Sequence, residues 1–446
     1  MLPLNKTLKI KKLNNNKTIK SIMKKYLILA AVALVASAAC TKVEADFSET
    51  PDKAVTFQVA NYLNQTKADS HGHTSLIDEL TELGISSNYS FQSKAFIHAA
   101  QADGTVAAPA AFFNGGTNGV ETITYDGSSK WEPAHTYYWP KSASSSLSFF
   151  SWYDFSGANP TVTYTTDGGT ATLAWADRTV ALKDNVMWAD AAYHYKDNDH
   201  STHNLDGVTK GVPTLFHHAL AKVRFTAAVT IESEADSKNA GNSTFWEVTL
   251  SEVALSSGTI KSNGKLNLTQ TSQTTANTVQ TWTAPTVWSA PTGTQTYLTA
   301  NLGTATGDIF DTAVAKGTTK LTTTAAYLSG ENFMDDNYFT VLPQAVGNGV
   351  TLTFKYTVVT KYGTSLATAQ TISTETINVT ELAGSAPYTA TGIQLNAITG
   401  GFANWEINHR YVYNILINPK TATILYDPAV EDWAAEQSVN QTVPAA

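Results

Sequence analysis

Apolar and polar residues alternate with a period of two over several long stretches of this chain. Val350, Leu352, Phe354, Tyr356 and Val358 fall on one side, and Thr351, Thr353, Lys355 and Thr357 on the other. Val223, Phe225, Ala227, Val229 and Ile231 stand in the same way against Arg224, Thr226, Ala228 and Thr230. So do Tyr411, Tyr413, Ile415 and Ile417 against Val412, Asn414, Leu416 and Asn418. Successive side chains of a strand point to opposite faces, so this pattern predicts antiparallel strands with one buried face.

Turn-forming clusters punctuate the strands: Asp167-Gly168-Gly169, Asn263-Gly264, Gly347-Asn348-Gly349 and Gly400-Gly401. Only residues 74–83 read as helical, and no short tandem repeat is present. Thr, Val, Tyr, Trp and Phe, which suit a pleated, half-buried surface, are plentiful. The fold class expected is all-β, built from antiparallel sandwiches. A polar stretch at 232–243 (ESEADSKNAGNS) follows one long strand and precedes another; it reads as a domain boundary or as a long hairpin loop within one domain.

The N-terminus breaks this pattern. Met23-Lys24-Lys25 precedes an apolar run from Tyr26 to Ala36 and then Ser37-Ala38-Ala39-Cys40. A basic start, a short apolar core and small residues make a secretory signal. The run is shorter than the roughly 20 residues a permanent membrane helix needs. Cys40 is the chain's one cysteine, so no intrachain disulfide can form. Its position after Ala39 resembles a bacterial lipobox, which implies cleavage between Ala39 and Cys40 and a lipid on Cys40; Ser37 departs from the usual Leu, Val or Ile. The alternative is an ordinary signal peptide with an incidental cysteine. Residues 1–22 carry Lys, Asn and Thr and no apolar run, and Met23 is the expected start. Removing residues 1–39 takes away eight of 29 basic residues and no acidic one, leaving 21 against 37 and a formal charge of −16. Such a surface repels nucleic acid.

Five blocks along the remaining chain resemble the fimbrillin family, the type V pilins of Bacteroidales. Tyr137-Tyr138-Trp139-Pro140 followed by Leu147-Ser148-Phe149-Phe150-Ser151-Trp152-Tyr153 is similar to its aromatic block, and Asn185-Val186-Met187-Trp188-Ala189 to a second. Leu215-Phe216-His217-His218-Ala219-Leu220-Ala221-Lys222-Val223 resembles a third, and Phe339-Thr340-Val341-Leu342-Pro343-Gln344 the turn before a long strand. Trp405 through Ile417, then Ile424 and Val430-Glu431-Asp432-Trp433, resembles the family's terminal block.

The resemblance implies two tandem β-sandwich domains of Greek-key, transthyretin-like type behind a lipoprotein signal. On this sequence that gives a signal at 23–39, an N-terminal segment with a removable strand at 40–67, sandwiches at 68–235 and 236–433, and a tail at 434–446. It implies surface display on the outer membrane, anchored by lipid through Cys40, and then incorporation into a fimbrium. A trypsin-like protease removes the first strand, and a neighbouring subunit donates a replacement. Taking a strand from a sheet exposes unpaired backbone groups, which another chain can pair. Because that contact is head-to-tail, it propagates into a fibre.

Residues 54–63 (AVTFQVANYL) are the candidate removable strand, with Val55, Phe57 and Val59 as its inward face. Lys67, in a polar loop, is the candidate cleavage site; the best-known pilins use arginine there, and the chain's arginines are Arg178, Arg224 and Arg410. The plain alternative for Lys67 is a solvated loop lysine. The tail 434–446 offers Val439 and Val443 as its large apolar residues, either as a donor strand or as a frayed end. The partners implied are other fimbrial subunits, the protease, the membrane lipid, and a host glycan or protein. The position in the fibre (stalk, tip or accessory) stays open.

Two histidine groups have ligand-type chemistry: His71 and His73 near Asp69, and His194, His200 and His203 near Asp197 and Asp199. Their spacing fits no recognised zinc pattern and the acidic run lacks the glycine of a calcium loop, so loop histidines and no metal or cofactor are expected. His217 and His218 read as structural hydrogen-bonding residues. Tyr138, Trp139, Phe149 and Trp152 read as core, while Trp282 and Trp288, in a Thr/Pro-rich segment, read as exposed and suited to stacking on sugars. No Gly-x-Ser-x-Gly elbow, phosphate loop or His-Glu-x-x-His helix occurs, so no enzyme is expected; a two-carboxylate glycosidase would need no local motif. The competing reading is a glycan-binding surface lipoprotein that does not polymerise.

Overall fold

A computed structural model describes residues 54–61, 76–101, 107–128, 130–198, 211–256, 259–295 and 309–432, less 311, 313, 316, 330–336, 383–386, 399 and 422. Ala39, Cys40, Lys67, His71, His73, His200, His203, Trp433, Val439 and Val443 lie outside the described residues. The chain is nearly all β, and the one α-helix among the described residues, α1 (Leu76–Glu82), lies within the stretch expected to be helical.

The first twelve strands are β1 (Phe57–Asn61), β2 (Ser90–His98), β3 (Ala110–Ala111), β4 (Val120–Tyr125), β5 (Trp131–Pro133), β6 (Ser146–Asp154), β7 (Thr161–Thr163), β8 (Thr170–Thr179), β9 (Val186–Ala189), β10 (Ala191–Tyr195), β11 (Val212–His218) and β12 (Ala221–Val229). Seven of them close on themselves in the order β6–β9–β11–β1–β5–β4–β2, with β2 pairing back to β6. A closed sheet leaves no free edge within the ring. Every residue of β6 is buried, which fits a strand paired on both edges and covered on both faces. On one face of this sheet lies a four-stranded sheet in which β8 pairs with β7 and Asn263–Thr271, which in turn pairs with Ser289–Thr292. Phe150, Trp152 and Tyr193 from the first sheet meet Leu173, Trp175, Leu266 and Leu268 from the second in one apolar core.

The second core lies between two further sheets. In one, β12 runs parallel to His409–Asn418, which pairs with Thr423–Asp432. In the other, Ser243–Leu255 pairs with Thr351–Gly363 along nearly its whole length. The faces predicted from period-two patterning are the buried ones: Val223, Phe225, Ala227 and Val229 oppose Val350, Leu352, Phe354, Tyr356 and Val358 in this core.

Strand pairing crosses residue 235 in both directions. β12 joins the second core, and Asn263–Thr271 joins the first by pairing with β8. The polar run at 232–243 is a hairpin between Ser233–Ala235 and Ser243–Leu255. Edges that need partners, rather than order along the chain, set sheet membership. The five sequence blocks nevertheless meet: β6 pairs with β9 at Trp152 and Trp188, β9 with β11 at Trp188 and His217, and β12 with both Phe339–Val341 and His409–Asn418.

A buried polar joint links the two cores where β11 passes into β12. His218 Nε2 lies 3.3 Å from Glu79 of α1, and Lys222 Nζ lies 3.3 Å from Glu82. Burial pushes the His218 imidazole below its ordinary 6.5 against the pull of Glu79. Burial alone would raise the Glu79 carboxyl, but His218, Lys222 and Arg410 hold it far below its ordinary 4.5. Both folded values are depressed, so the unfolded chain takes up these protons first and stability is lost as pH falls. The expected melting temperature is level above pH 6.5, declines below it as His218 of the unfolded chain protonates, and steepens below 4.5 as Glu79 joins. Calorimetry across pH 8 to about 4 checks this; a flat profile between neutrality and the carboxylate range would contradict it.

Candidate functional site

The candidate removable strand is where the ring closes. β1 runs parallel to β11 through five register pairs, Phe57↔Val212 to Asn61↔Phe216, but meets β5 at one, Phe57↔Trp131. Val212 N–H donates to the Thr56 carbonyl at 2.7 Å, and Val55 N–H to the Tyr137 carbonyl at 2.8 Å. β1 is therefore well bonded along one side and lightly along the other. Removing it leaves the backbone groups of β11 unpaired, the condition under which an edge accepts a new strand.

Side chains add a socket. Val55 and Phe57 are buried and Val59 is half-buried. The Phe57 ring packs edge-on against Phe91 and Phe149, each at 5.6 Å between centroids, the favoured geometry for aromatic pairs. Phe91 continues to Trp131 and Phe216, and Phe149 to Trp139 and Phe113. Without β1 this aromatic cluster would line an open groove with a hole where Phe57 sits.

Two residues that sequence reading did not single out hold β1 in place. The Asn198 side chain bridges three groups: its Oδ1 accepts from Thr56 N–H at 3.2 Å and from Trp139 Nε1 at 2.8 Å, and its Nδ2 donates to the Ala54 carbonyl at 2.5 Å. Gly211 has φ +108°, and a Cβ there would stand 2.7 Å from the Phe57 carbonyl carbon. Only glycine allows β1 to approach so closely. The Gly211-Val212-Pro213 run hints at such a site, whereas nothing local to Asn198 does.

The 14 residues 62–75 between β1 and α1, which include Lys67, lie outside the described residues. α1 itself is anchored to the joint through Glu79 and Glu82. A cut between the two would separate β1 and everything before it from a helix that stays bonded to the body.

The tryptophans require a correction. Trp282 and Trp288 are buried, and each indole N–H donates to a backbone carbonyl: Trp282 to Ala189 at 3.0 Å and Trp288 to Ala219 at 2.7 Å. Their Thr/Pro-rich segment folds down over the first core, so neither offers a face to a sugar. Trp139, Phe149 and Trp152 are core residues as expected, and Tyr138 is half-buried. His194 also departs from expectation: it is buried on β10, not in a loop. His217 and His218 bond separately, His217 to Asp190 at 2.8 Å and His218 to Asn185 and Glu79.

Together these features define a class: an all-β protein in which the first described strand closes a sheet. No protein-family model matches the chain, and no curated protein matches it. Its structure is similar to that of a fimbrial protein from Bacteroides vulgatus, with 12% identity, 85% of this chain and 99% of that chain covered, and a TM-score of 0.39. It is similar to a putative cell adhesion protein from Bacteroides uniformis (16% identity, 86% and 100% covered, TM-score 0.31). A third similarity is to a fimbrilin from Porphyromonas gingivalis (13% identity, 87% and 99% covered, TM-score 0.28). These neighbours are fimbrial and cell-adhesion proteins of Bacteroidales.

Proposed function

We propose that this protein is a structural, non-enzymatic subunit of a cell-surface pilus, exported as a lipoprotein on Cys40 and polymerised by donor-strand exchange after cleavage at Lys67. The observation that carries the reading is the asymmetric seat of β1: five register pairs on one side, one on the other, and a single aromatic knob in a preformed socket. A strand held this way is a separable part, and the ring it leaves is an acceptor.

The physical sequence is short. While β1 is present the ring is closed and the subunit does not pair with its neighbours. A trypsin-like protease cuts the backbone after Lys67, and β1 departs with the lipid-bearing segment. The β11 edge and the aromatic groove then bind an extended segment from another subunit, antiparallel or parallel, with one large apolar side chain seated where Phe57 was. The tail at 434–446, with Val439 and Val443, is the donor candidate on this chain. A stacking surface for sugars built on Trp282 and Trp288 loses its basis, since both are buried.

The test is the N-terminus and assembly state of the protein extracted from cells. The expected mature form begins at Ala68 and runs as a denaturant-resistant ladder, while Lys67→Ala leaves the strand attached and the protein monomeric. Recovery of a solitary surface form that still carries residues 54–63 would sink the proposal.

A further inference from the structure

We propose that His98, Asp167 and His194 form a binding site for one divalent transition-metal ion of the zinc type. The three residues come from β2, the turn between β7 and β8, and β10, and their ligand atoms all lie within 4.8 Å of one another.

The fold brings them together through β6. β2 pairs with one edge of β6, placing His98 opposite Ser146, and β10 pairs with the other edge. The β10 register slips between Ala192 and Tyr195, and within that slip His194 takes φ +56°. A bulge re-aims a side chain, and a left-handed histidine is a strained one that the surroundings must hold. The result sets the two imidazole rings 4.2 Å apart between centroids.

The spacing from the two imidazoles to Asp167 is that of ligands rather than of hydrogen-bond partners. His98 Nδ1 stands 3.4 Å from Asp167 Oδ2, and His194 Nε2 stands 3.6 Å from Asp167 Oδ1. These are long for N–H···O bonds. Tetrahedral zinc with bonds of about 2.0–2.1 Å holds its ligand atoms roughly 3.4 Å apart. His98 is fully buried, and its Nδ1 makes no hydrogen bond among the described residues.

A supporting shell is in place. His98 Nε2 lies 3.0 Å from Ser148 Oγ and 3.3 Å from the Tyr164 hydroxyl, and His194 Nδ1 lies 3.0 Å from Ser146 Oγ. Tyr164 O–H donates to Asp167 Oδ1 at 2.5 Å and fixes the carboxylate. Such partners set the tautomer and orientation of metal-binding imidazoles. His194 Nε2 also lies 2.9 Å from the Gln273 carbonyl, to which it donates without metal. Loading moves that proton to Nδ1, where Ser146 Oγ accepts it. Two imidazoles and one carboxylate suit zinc over calcium or magnesium. Asp167 is partly exposed, so solvent reaches one side of the cluster. The ion would tie the β7–β8 turn to the ring.

The test is zinc titration of the untagged, chelator-stripped chain by calorimetry, with cobalt(II) as a spectroscopic stand-in. The expected result is one equivalent bound, a tetrahedral visible spectrum with cobalt, and a melting temperature raised by roughly 3 °C at a hundredfold excess over Kd. His98→Ala and Asp167→Asn should each weaken binding at least tenfold. Asp167 lies at an exposed turn, so its variant keeps the fold, checked by unfolding in chelator. Replacing His71, His73, His200 and His203 with Ala should leave binding unchanged. Binding that is absent in the parent chain, survives in Asp167→Asn, or disappears with those four histidines instead would overturn the assignment and leave a buried hydrogen-bonded cluster.

Discussion

Phe57→Ala is expected to weaken the seating of β1 by about 3 kcal/mol, the low end for truncating a buried aromatic residue. The substitution empties the socket between Phe91 and Phe149 while leaving the backbone bonds to β11 in place. The loss cannot exceed the free energy of releasing β1, because beyond that point the variant simply lets the strand go. The effect is therefore local. Hydrogen exchange should accelerate at the β11 amides that face β1, by about two orders of magnitude for that loss. Amides in the second core should not change. If exchange at 212–216 is unaltered, Phe57 is not the anchor and the groove has another key. The consequence for assembly is that a nicked Phe57→Ala protein should lose its strand and polymerise faster than the nicked parent.

Arg178→Met is the second large effect. Arg178 is buried with its guanidinium between two carboxylates, 2.8 Å from Asp154 and 2.7 Å from Asp184. Its Nε also donates to Asp154, and Trp175 Nε1 donates to the same carboxylate at 3.1 Å. Removing the cation leaves two negative groups in a site with little solvent, and the expected loss is about 3–5 kcal/mol. The pair bridges β8 and β6, so the four-stranded sheet should loosen from the ring and the transition should broaden. Adding Asp154→Asn and Asp184→Asn to the variant should recover much of the loss, since the burden is unpaired charge rather than missing packing. Urea denaturation of the two variants checks this. If the single variant is as stable as the parent, water reaches the site and the ion pairs count for little.

Much of the architecture was legible in the residues. The alternation at 350–358, 223–229 and 411–417 is a direct consequence of strand geometry and named the buried faces correctly. Phe149 and Trp152, read as core residues, lie on a strand that is buried throughout. Legibility failed where composition stood in for burial. Trp282 and Trp288 sit among Thr and Pro, which reads as surface, yet each indole fills the first core and satisfies its N–H on a carbonyl from a distant strand. His194 failed for a related reason: its sequence neighbours include the polar residues Lys196 and Asp197, but its structural neighbours are His98 and Ser146.

The sequence by itself determined the strand faces and the all-β class, because both depend on the periodicity of the chain. Only the tertiary structure decided that β1 closes a ring, that β12 and Asn263–Thr271 exchange sides across residue 235, and that Asn198 and Gly211 hold the closing strand. Those outcomes depend on which edges find partners across tens to hundreds of residues. Backbone hydrogen bonds between strands are the same for every residue type, so the local pattern fixes a strand's faces but not its neighbour.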